Sequence, residues 1–343
     1  MQQQQINGSA AATGTTLIQR AMEAMGRGDA STAAALARNA TELAPNDALG
    51  WGVLCVALHR MKSYEPAIEA GRKAIAINPA SAEFHNNLGV VLRAAGHPRE
   101  AEAIYGAALK ADPTFASALS NLANLARDEF RSDDAERFYR AAIALKPDNA
   151  DTWQGLAGVL QRRAKMDEGG VALEKAMALA PNRADIVCDY AMFLAARNQM
   201  AEGGRLLLKA IELNPNLDTA HGNLGALQLR SGQLIPAQKS TRRAFELAPN
   251  EQRWLSNLGV VSKDLGRFDE AEALFRRALA LKPDYSVGHA NLLFCLNYHP
   301  DKTAEEIFAE YQAFDRMHAV PHMPAEVSFT NEPNPSRRLR VGY

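Results

Sequence analysis

The feature that most constrains this chain is a proline every 34 residues. Pro45, Pro79, Pro113, Pro147, Pro181, Pro215, Pro249 and Pro283 stand at one fixed spacing. A period of this length marks stacked supersecondary units, each too small to bury its apolar face alone. With each proline set at position 32, residues 14–285 divide into eight units of 34 residues. Position 27 is alanine in all eight, from Ala40 and Ala74 to Ala244 and Ala278. Position 20 is alanine or glycine, position 8 is never larger than cysteine, and position 7 is leucine in six units. Small residues at 8, 20 and 27 let two helices approach closely, and larger ones at 7, 11 and 24, such as Leu88, Leu92 and Tyr105, fill the space between them. Gly96, Gly232 and Gly266 at position 15 suit the left-handed end of a first helix, and the proline at 32 stops a second. Position 33 holds Asn46, Thr114, Asp148, Asn182, Asn216, Asn250 or Asp284, each a good N-cap for the helix that follows.

Composition narrows the function classes. The 343 residues carry 38 Lys and Arg against 39 Asp and Glu, a net charge of −1, which lacks the positive surplus that nucleic acid requires. No apolar run approaches the roughly 20 residues of a membrane span, and the N-terminal MQQQQINGSAAATG lacks the order of a signal peptide, so a cytoplasmic protein without a membrane partner is expected. Cys55, Cys188 and Cys295 are odd in number and far apart, which fits small buried residues and neither a disulfide frame nor a zinc site. Phosphate-binding loops, dinucleotide fingerprints, nucleophile–histidine–acid signatures and paired-carboxylate motifs are absent, so no cofactor is expected.

The 34-residue pattern resembles the tetratricopeptide repeat (TPR) family, whose unit is a helix–turn–helix with small residues at 8, 20 and 27. The resemblance implies an all-α chain, a right-handed TPR superhelix or α-solenoid. The expected organisation has a disordered N-terminus at 1–13 and eight repeats at 14–285. A partial ninth repeat plus a capping helix follows at 286–318, then a Pro-rich linker at 319–336. Asp301 or Thr303 would cap the last helix, whose apolar face is Ile307, Tyr311 and Phe314. In RRLRVGY (337–343), Leu339, Val341 and Tyr343 alternate as in the first strand of a further domain. Gly169, Gly170, Gly203 and Gly204 fall inside the second helices of units 5 and 6, and these units are expected to be the softest.

Position 6 carries the main functional signal. Asn87, Asn121, Asn223, Asn257 and Asn291 occupy it in units 3, 4, 7, 8 and the partial ninth. Asparagine is a mediocre helix former, so its repetition in mid-helix needs a reason. A carboxamide can donate to one peptide group and accept from another, holding an extended chain regardless of its side chains. The plain structural alternative is a spacer bonded to the neighbouring helix. Gly155 and Asp189 interrupt the row in units 5 and 6, so a bound peptide skips there or two shorter ladders exist.

This asparagine row, with residues 298–343, resembles the bacterial O-linked GlcNAc transferase family. There a TPR superhelix with an asparagine ladder on its inner wall leads into a two-lobed GT-B glycosyltransferase. The resemblance implies that this chain is the substrate-recognition arm of a nucleotide-sugar-dependent protein O-glycosyltransferase. The family's catalytic groups lie beyond the point this sequence reaches, so no catalytic residue is carried over and the chain alone is not an enzyme. The other reading is a stand-alone TPR scaffold or co-chaperone. A carboxylate clamp of the co-chaperone type wants Lys or Arg at position 5, which here holds Gly52, Asn86, Ser120, Gln154, Cys188, Gly222, Ser256 and Ala290. Either reading makes unstructured or extended protein segments the partners, and a second copy of the chain is a further candidate.

Arg93, Arg127 and Lys263 at position 12, with Arg230 at 13, are candidate groove charges for acidic side chains, with solvated surface charges as the plainer reading. His85, His221 and His289 share position 4, but repeat spacing of about 10 Å or more separates them too widely for joint metal binding. They are expected to pack between helices, and Trp51, Trp153 and Trp254 are expected to be packing residues at unit starts. His299, His318 and His322 near the C-terminal junction lack the cysteine or carboxylate spacing of a metal site, and no metal is expected.

Overall fold

A computed structural model of the chain describes residues 2–322, with side chains for 13–321. It divides into two compact units, 1–190 and 191–343. The first holds α1 Gln2–Gly26, α2 Ala30–Leu43, α3 Ala48–Arg60, α4 Tyr64–Ile77, α5 Ala82–Ala94, α6 Pro98–Ala111, α7 Ala116–Asp128, α8 Ser132–Leu145, α9 Ala150–Arg162 and α10 Met166–Leu179. Helix α11 Ala184–Ala196 contains the division point. The second holds α12 Met200–Leu213, α13 Asp218–Arg230, α14 Leu234–Leu247, α15 Gln252–Asp264, α16 Phe268–Leu281, α17 Ser286–Tyr298 and α18 Ala304–Phe314. The described residues contain no strand.

Helices pair within repeats, as α3 with α4, α7 with α8 and α15 with α16, and the second helix (helix B) also packs on the first helix (helix A) of the next repeat, as α2 with α3, α8 with α9 and α14 with α15. Successive A helices touch as well: α3 with α5, α5 with α7 and α7 with α9 in the first unit, α13 with α15 and α15 with α17 in the second. The B helices do not match this closeness, so within each unit the A helices form the narrower inner face. Each unit is thus an all-α stack of helix pairs with the packing of a TPR solenoid.

The repeat turns explain the sequence pattern and correct part of its reading. The N–H of position 34 donates to the carbonyl of position 31, as in Asp47 to Ala44 at 3.0 Å and Leu217 to Asn214 at 3.1 Å. The proline at 32 is therefore the second residue of a β-turn, where its fixed φ is already correct. Position 33 is consumed by that turn, so Asn46, Thr114, Asp148, Asn216, Asn250 and Asp284 are not N-caps. The cap is position 34: Asp47 accepts from the Leu49 N–H, Ser81 from Phe84 and Asn149 from Thr152. Phe115, Leu217 and Tyr285 hold this place without a side-chain bond.

The other turn is equally regular. Position 15 is left-handed in all eight repeats, at Gly28, Gly96, Gly232 and Gly266 but also at Lys62, Phe130, Ala164 and Asn198. The next N–H reaches back six residues inclusive to position 11, as His97 to Leu92 at 2.9 Å and Arg131 to Ala126 at 2.8 Å, a Schellman end.

The core is a strip of complementary sizes. Tyr105 and Phe275 at position 24 are wholly buried. A Cβ on Gly89 would lie 2.5 Å from the Tyr105 ring, and one on Gly259 2.7 Å from the Phe275 ring, so the large residue at 24 demands the small one at 8. A Cβ on Gly203 would meet the Ala191 carbonyl at 2.8 Å, which makes glycine at position 20 a condition of close helix approach there.

Three expectations meet the structure at the ends. Helix α1 begins at Gln2, so the backbone of 2–13 is helical where disorder was expected; glutamine and alanine are good helix formers and no proline interrupts them. Helix α18 starts with a full capping box between Thr303 and Glu306, and Ile307 packs beside Phe275 and Leu292. Tyr311 stays largely exposed. A wide π-type turn at Asp315–Ala319 and a short 3-10 turn at Val320–His322 follow. The strand expected at 337–343, and the linker beyond residue 322, lie outside the described residues.

Candidate functional site

The inner-face positions 2, 6, 9 and 13 of helix A recur every three or four residues, one stripe of the helix. All five row asparagines stand on it half-buried. Asn87 and Asn121 belong to the first unit, and Asn223, Asn257 and Asn291 to the second.

A bond between repeats governs how these carboxamides are held. Position 6 of one repeat faces position 5 of the repeat before it. Asn121 Nδ2 donates to Asn86 Oδ1 at 2.8 Å, and Asn291 Nδ2 donates to Ser256 Oγ at 3.1 Å. Gln154 Nε2 donates to Asp189 Oδ2 at 2.7 Å in the same register. Opposite Asn87 and Asn257, position 5 is Gly52 and Gly222. These glycines are packing requirements: a Cβ on Gly52 would lie 2.6 Å from the Phe84 ring, and one on Gly222 2.1 Å from the Trp254 ring. Among the described residues no side-chain hydrogen bond engages Asn87 or Asn257. The spacer role is thus present at Asn121 and Asn291, each of which keeps its carboxamide oxygen and a second N–H.

Three of the four candidate groove charges are paired. Arg93 Nη1 lies 3.1 Å from Asp128 Oδ2, Arg127 Nη2 3.2 Å from Asp128 Oδ1, and Lys263 Nζ 2.8 Å from Asp264 Oδ1. Lys263 also sits 4.5 Å over the Phe294 ring. Arg230 is exposed, with no carboxylate paired to it among the described residues.

The inner face of the first unit holds two depressions. An apolar one of about 220 Å³ is lined by Met22, Met25, Leu49, Val53, Val56 and Phe84, with Asn87 at its edge. A polar one of about 650 Å³ lies where the row is interrupted. Its walls include Ser120, Asn121 and Asn124 of α7, Tyr139 of α8, Thr152 and Gln154 of α9, and Asp189 of α11. Gly155 and Gly158 leave it open. Gly155 is glycine because Tyr139 occupies its place: a Cβ there would lie 2.5 Å from the ring, whose Oη donates to Asn124 Oδ1 at 2.6 Å. Asp189 stays exposed on one side, but the protein atoms crowded around its carboxylate partly desolvate it and raise its pKa above the ordinary value; the Gln154 bond opposes this and the charge of Asp185 adds to it. Arg183 bonds Asp185, whose pKa it holds down, and also Asp151. The sequence marked Asp189 only as a gap in the row, because the cavity depends on a tyrosine 50 residues earlier.

Several histidines and the tryptophans have local partners. Trp51, Trp153 and His221 at position 4 each bond the carbonyl of the preceding turn proline, at 2.9, 2.8 and 3.0 Å. Buried Trp254 donates to Asp218 Oδ2 at 2.8 Å. His289 contacts Glu310 at 3.0 Å and His318 at 3.1 Å, beneath the Phe314 ring. No group of three metal-ligating side chains occurs among the described residues, and none of their helices is long and apolar enough to cross a membrane.

Comparison with known proteins agrees with this architecture. Tetratricopeptide repeat models match residues 18–82, 86–150 and 252–285. No curated protein sequence matches the chain. Among solved structures, a chain of the APC/C hetero-tetramer Cut9–Hcn1 is similar with a TM-score of 0.67 at 16% identity, over 82% of this chain. This chain spans 55% of that one. Pseudomonas aeruginosa pilF is similar with a TM-score of 0.52 at 21% identity, over 60% of this chain and 93% of that one. At these identities the likeness is one of fold. The matched stretches are tetratricopeptide repeats, and the helix pairing seen in both units is that of a TPR fold.

Proposed function

We propose that the inner face of helices A holds extended protein segments by their main chain, through the position 6 carboxamides. The observation that carries this reading is the state of those side chains. Among the described residues Asn87 and Asn257 are half-buried with no side-chain hydrogen bond, and Asn121 and Asn291 are oriented by the preceding repeat while an acceptor oxygen stays available. Each such contact contributes a net of about 0.5–1.5 kcal/mol, offset by ordering of the peptide, so binding is weak and sequence-tolerant. The arm serves an O-linked glycosyltransferase, a reading supported by the resemblance of residues 298–343. A stand-alone scaffold is the second reading, favoured by the bonds that Asn121 and Asn291 make to their neighbours.

Replacing Asn223, Asn257 and Asn291 together by Ala tests the ladder. Capture of unstructured peptides, followed by fluorescence anisotropy, falls roughly tenfold or more, while the melting temperature moves little. Equal binding by variant and parent discards the ladder. For the transferase reading, the protein encoded by the whole gene transfers sugar from UDP-GlcNAc to a captured protein, while this chain alone shows no nucleotide-sugar binding by calorimetry. A full protein without transfer leaves the scaffold.

A further inference from the structure

The 650 Å³ cavity of the first unit has a shape and charge that the main-chain ladder does not use. A chain passing from Asn121 to Asp189 along position 6 crosses α9 where both inner-face positions, 6 and 9, are Gly155 and Gly158. Tyr139 closes the floor at Gly155, while a Cβ on Gly158 would meet nothing within 4 Å. The space between the flanking A helices is therefore open to a side chain pointing down from the peptide. Its volume falls in the range of built ligand sites and exceeds one side chain, so a long side chain enters with water around it.

The charge in the cavity is one-sided near Asp189. Three charged residues line the space: Arg127, Asp151 and Asp189. Arg127 is tied to Asp128, and Asp151 is bonded by Arg183, which also serves Asp185. Among the described residues no cation pairs with Asp189; the neutral Gln154 amide donates to its Oδ2 at 2.7 Å. Arg127 is two repeats and six helix positions away, roughly 20 Å, beyond the screening length of physiological salt. Oδ1 and the open side of Oδ2 thus face the cavity without a counter-charge.

We propose that this cavity is a side-chain pocket for a basic residue of the bound polypeptide, whose lysine ammonium or arginine guanidinium pairs with Asp189 while its stem lies over Gly155 and Gly158. The proposal rests on the main-chain reading above and adds a sequence preference to it. The ladder ignores side chains; the pocket selects one, setting which stretch of an extended client lies on this part of the array.

The test uses dye-labelled Ala/Ser peptides with one central lysine, arginine, norleucine or glutamate, titrated by anisotropy against the parent and two variants. Asp189→Asn keeps the shape and the Gln154 contact but removes the charge. Gly158→Leu fills the cavity without touching Asp189. In the parent, lysine and arginine peptides bind about three- to tenfold tighter than the norleucine peptide, the ratio expected of a partly screened ion pair. Both variants bring that ratio close to one while still binding norleucine peptide, and unchanged circular dichroism certifies their fold. Equal binding of all four peptides by the parent overturns the pocket and leaves the ladder standing. Preference for glutamate, or a lysine preference that survives Asp189→Asn, also overturns it. Failure of the parent to bind any peptide overturns the main-chain reading and the pocket together.

Discussion

Gly155 and Gly158 lie three residues apart on α9, yet replacing each by alanine shifts stability in opposite directions. Alanine in a helix interior is favoured over glycine by about 0.5–1 kcal/mol. At Gly158 nothing opposes this gain, since the added methyl meets no atom within 4 Å. At Gly155 the methyl falls 2.5 Å from Tyr139 Cζ and Oη. That ring is buried, and its hydroxyl is held by Asn124, so it has little freedom to retreat. Overpacking of this kind costs about 1–3 kcal/mol, and loss of the hydroxyl bond adds about 1. The net result is a gain near 1 kcal/mol for Gly158→Ala and a loss of about 1–3 kcal/mol for Gly155→Ala. Repeat arrays open locally, so amide hydrogen exchange in α8 and α9 is the appropriate assay. Gly158→Ala slows exchange there about fivefold, and Gly155→Ala speeds it by roughly fivefold to a hundredfold. Equal protection in the two variants would refute the claim that Tyr139 excludes a side chain from position 6 of this repeat.

Two further outcomes are expected. Phe130 holds a left-handed φ of 60° while 81% exposed, so Phe130→Gly relieves backbone strain and raises stability by about 1 kcal/mol, read as a higher melting temperature; an unchanged or lower value contradicts the strain. His289 is buried against Glu310, His318 and Arg276, and burial lowers its pKa against the opposing pull of Glu310, with the charges of His318 and Arg276 adding to the lowering. The unfolded chain then binds the proton more readily, so this contribution is complete above the unfolded pKa of about 6.5 and is lost as pH falls below it. The protection of α17 and α18 against exchange, corrected for the intrinsic rate at each pH, should therefore fall on acidification from neutral, and a corrected profile flat in pH removes His289 as the cause.

Much of the fold could be read from spacing, because the prolines, the alanines at 27 and the small residues at 8 and 20 report contacts made within one repeat. What escaped reading lies between repeats or in backbone geometry. The caps at Asp47 and Asn149 lie one residue beyond Asn46 and Asp148, which the sequence favours, since a proline signals a helix stop but not that it opens a β-turn. The left-handed ends at Lys62, Ala164 and Phe130 carry no glycine to announce them. Gly155 and Asp189 were visible as breaks in the row, but the cavity between them exists only once Tyr139 is in place. His289 and Glu310 meet through the docking of α18, which no local pattern encodes.

Bulky rings at the third position of helix A have a consequence for the groove. Phe84 and Trp254 each force a glycine two places along the preceding first helix, and that glycine removes the tether from the amide three residues beyond the ring. Rungs with a ring in this place can swing to follow an uneven strand, and rungs without one stand braced. In arrays built on this plan, compliance of the inner wall is then written in aromatic residues that never touch the guest.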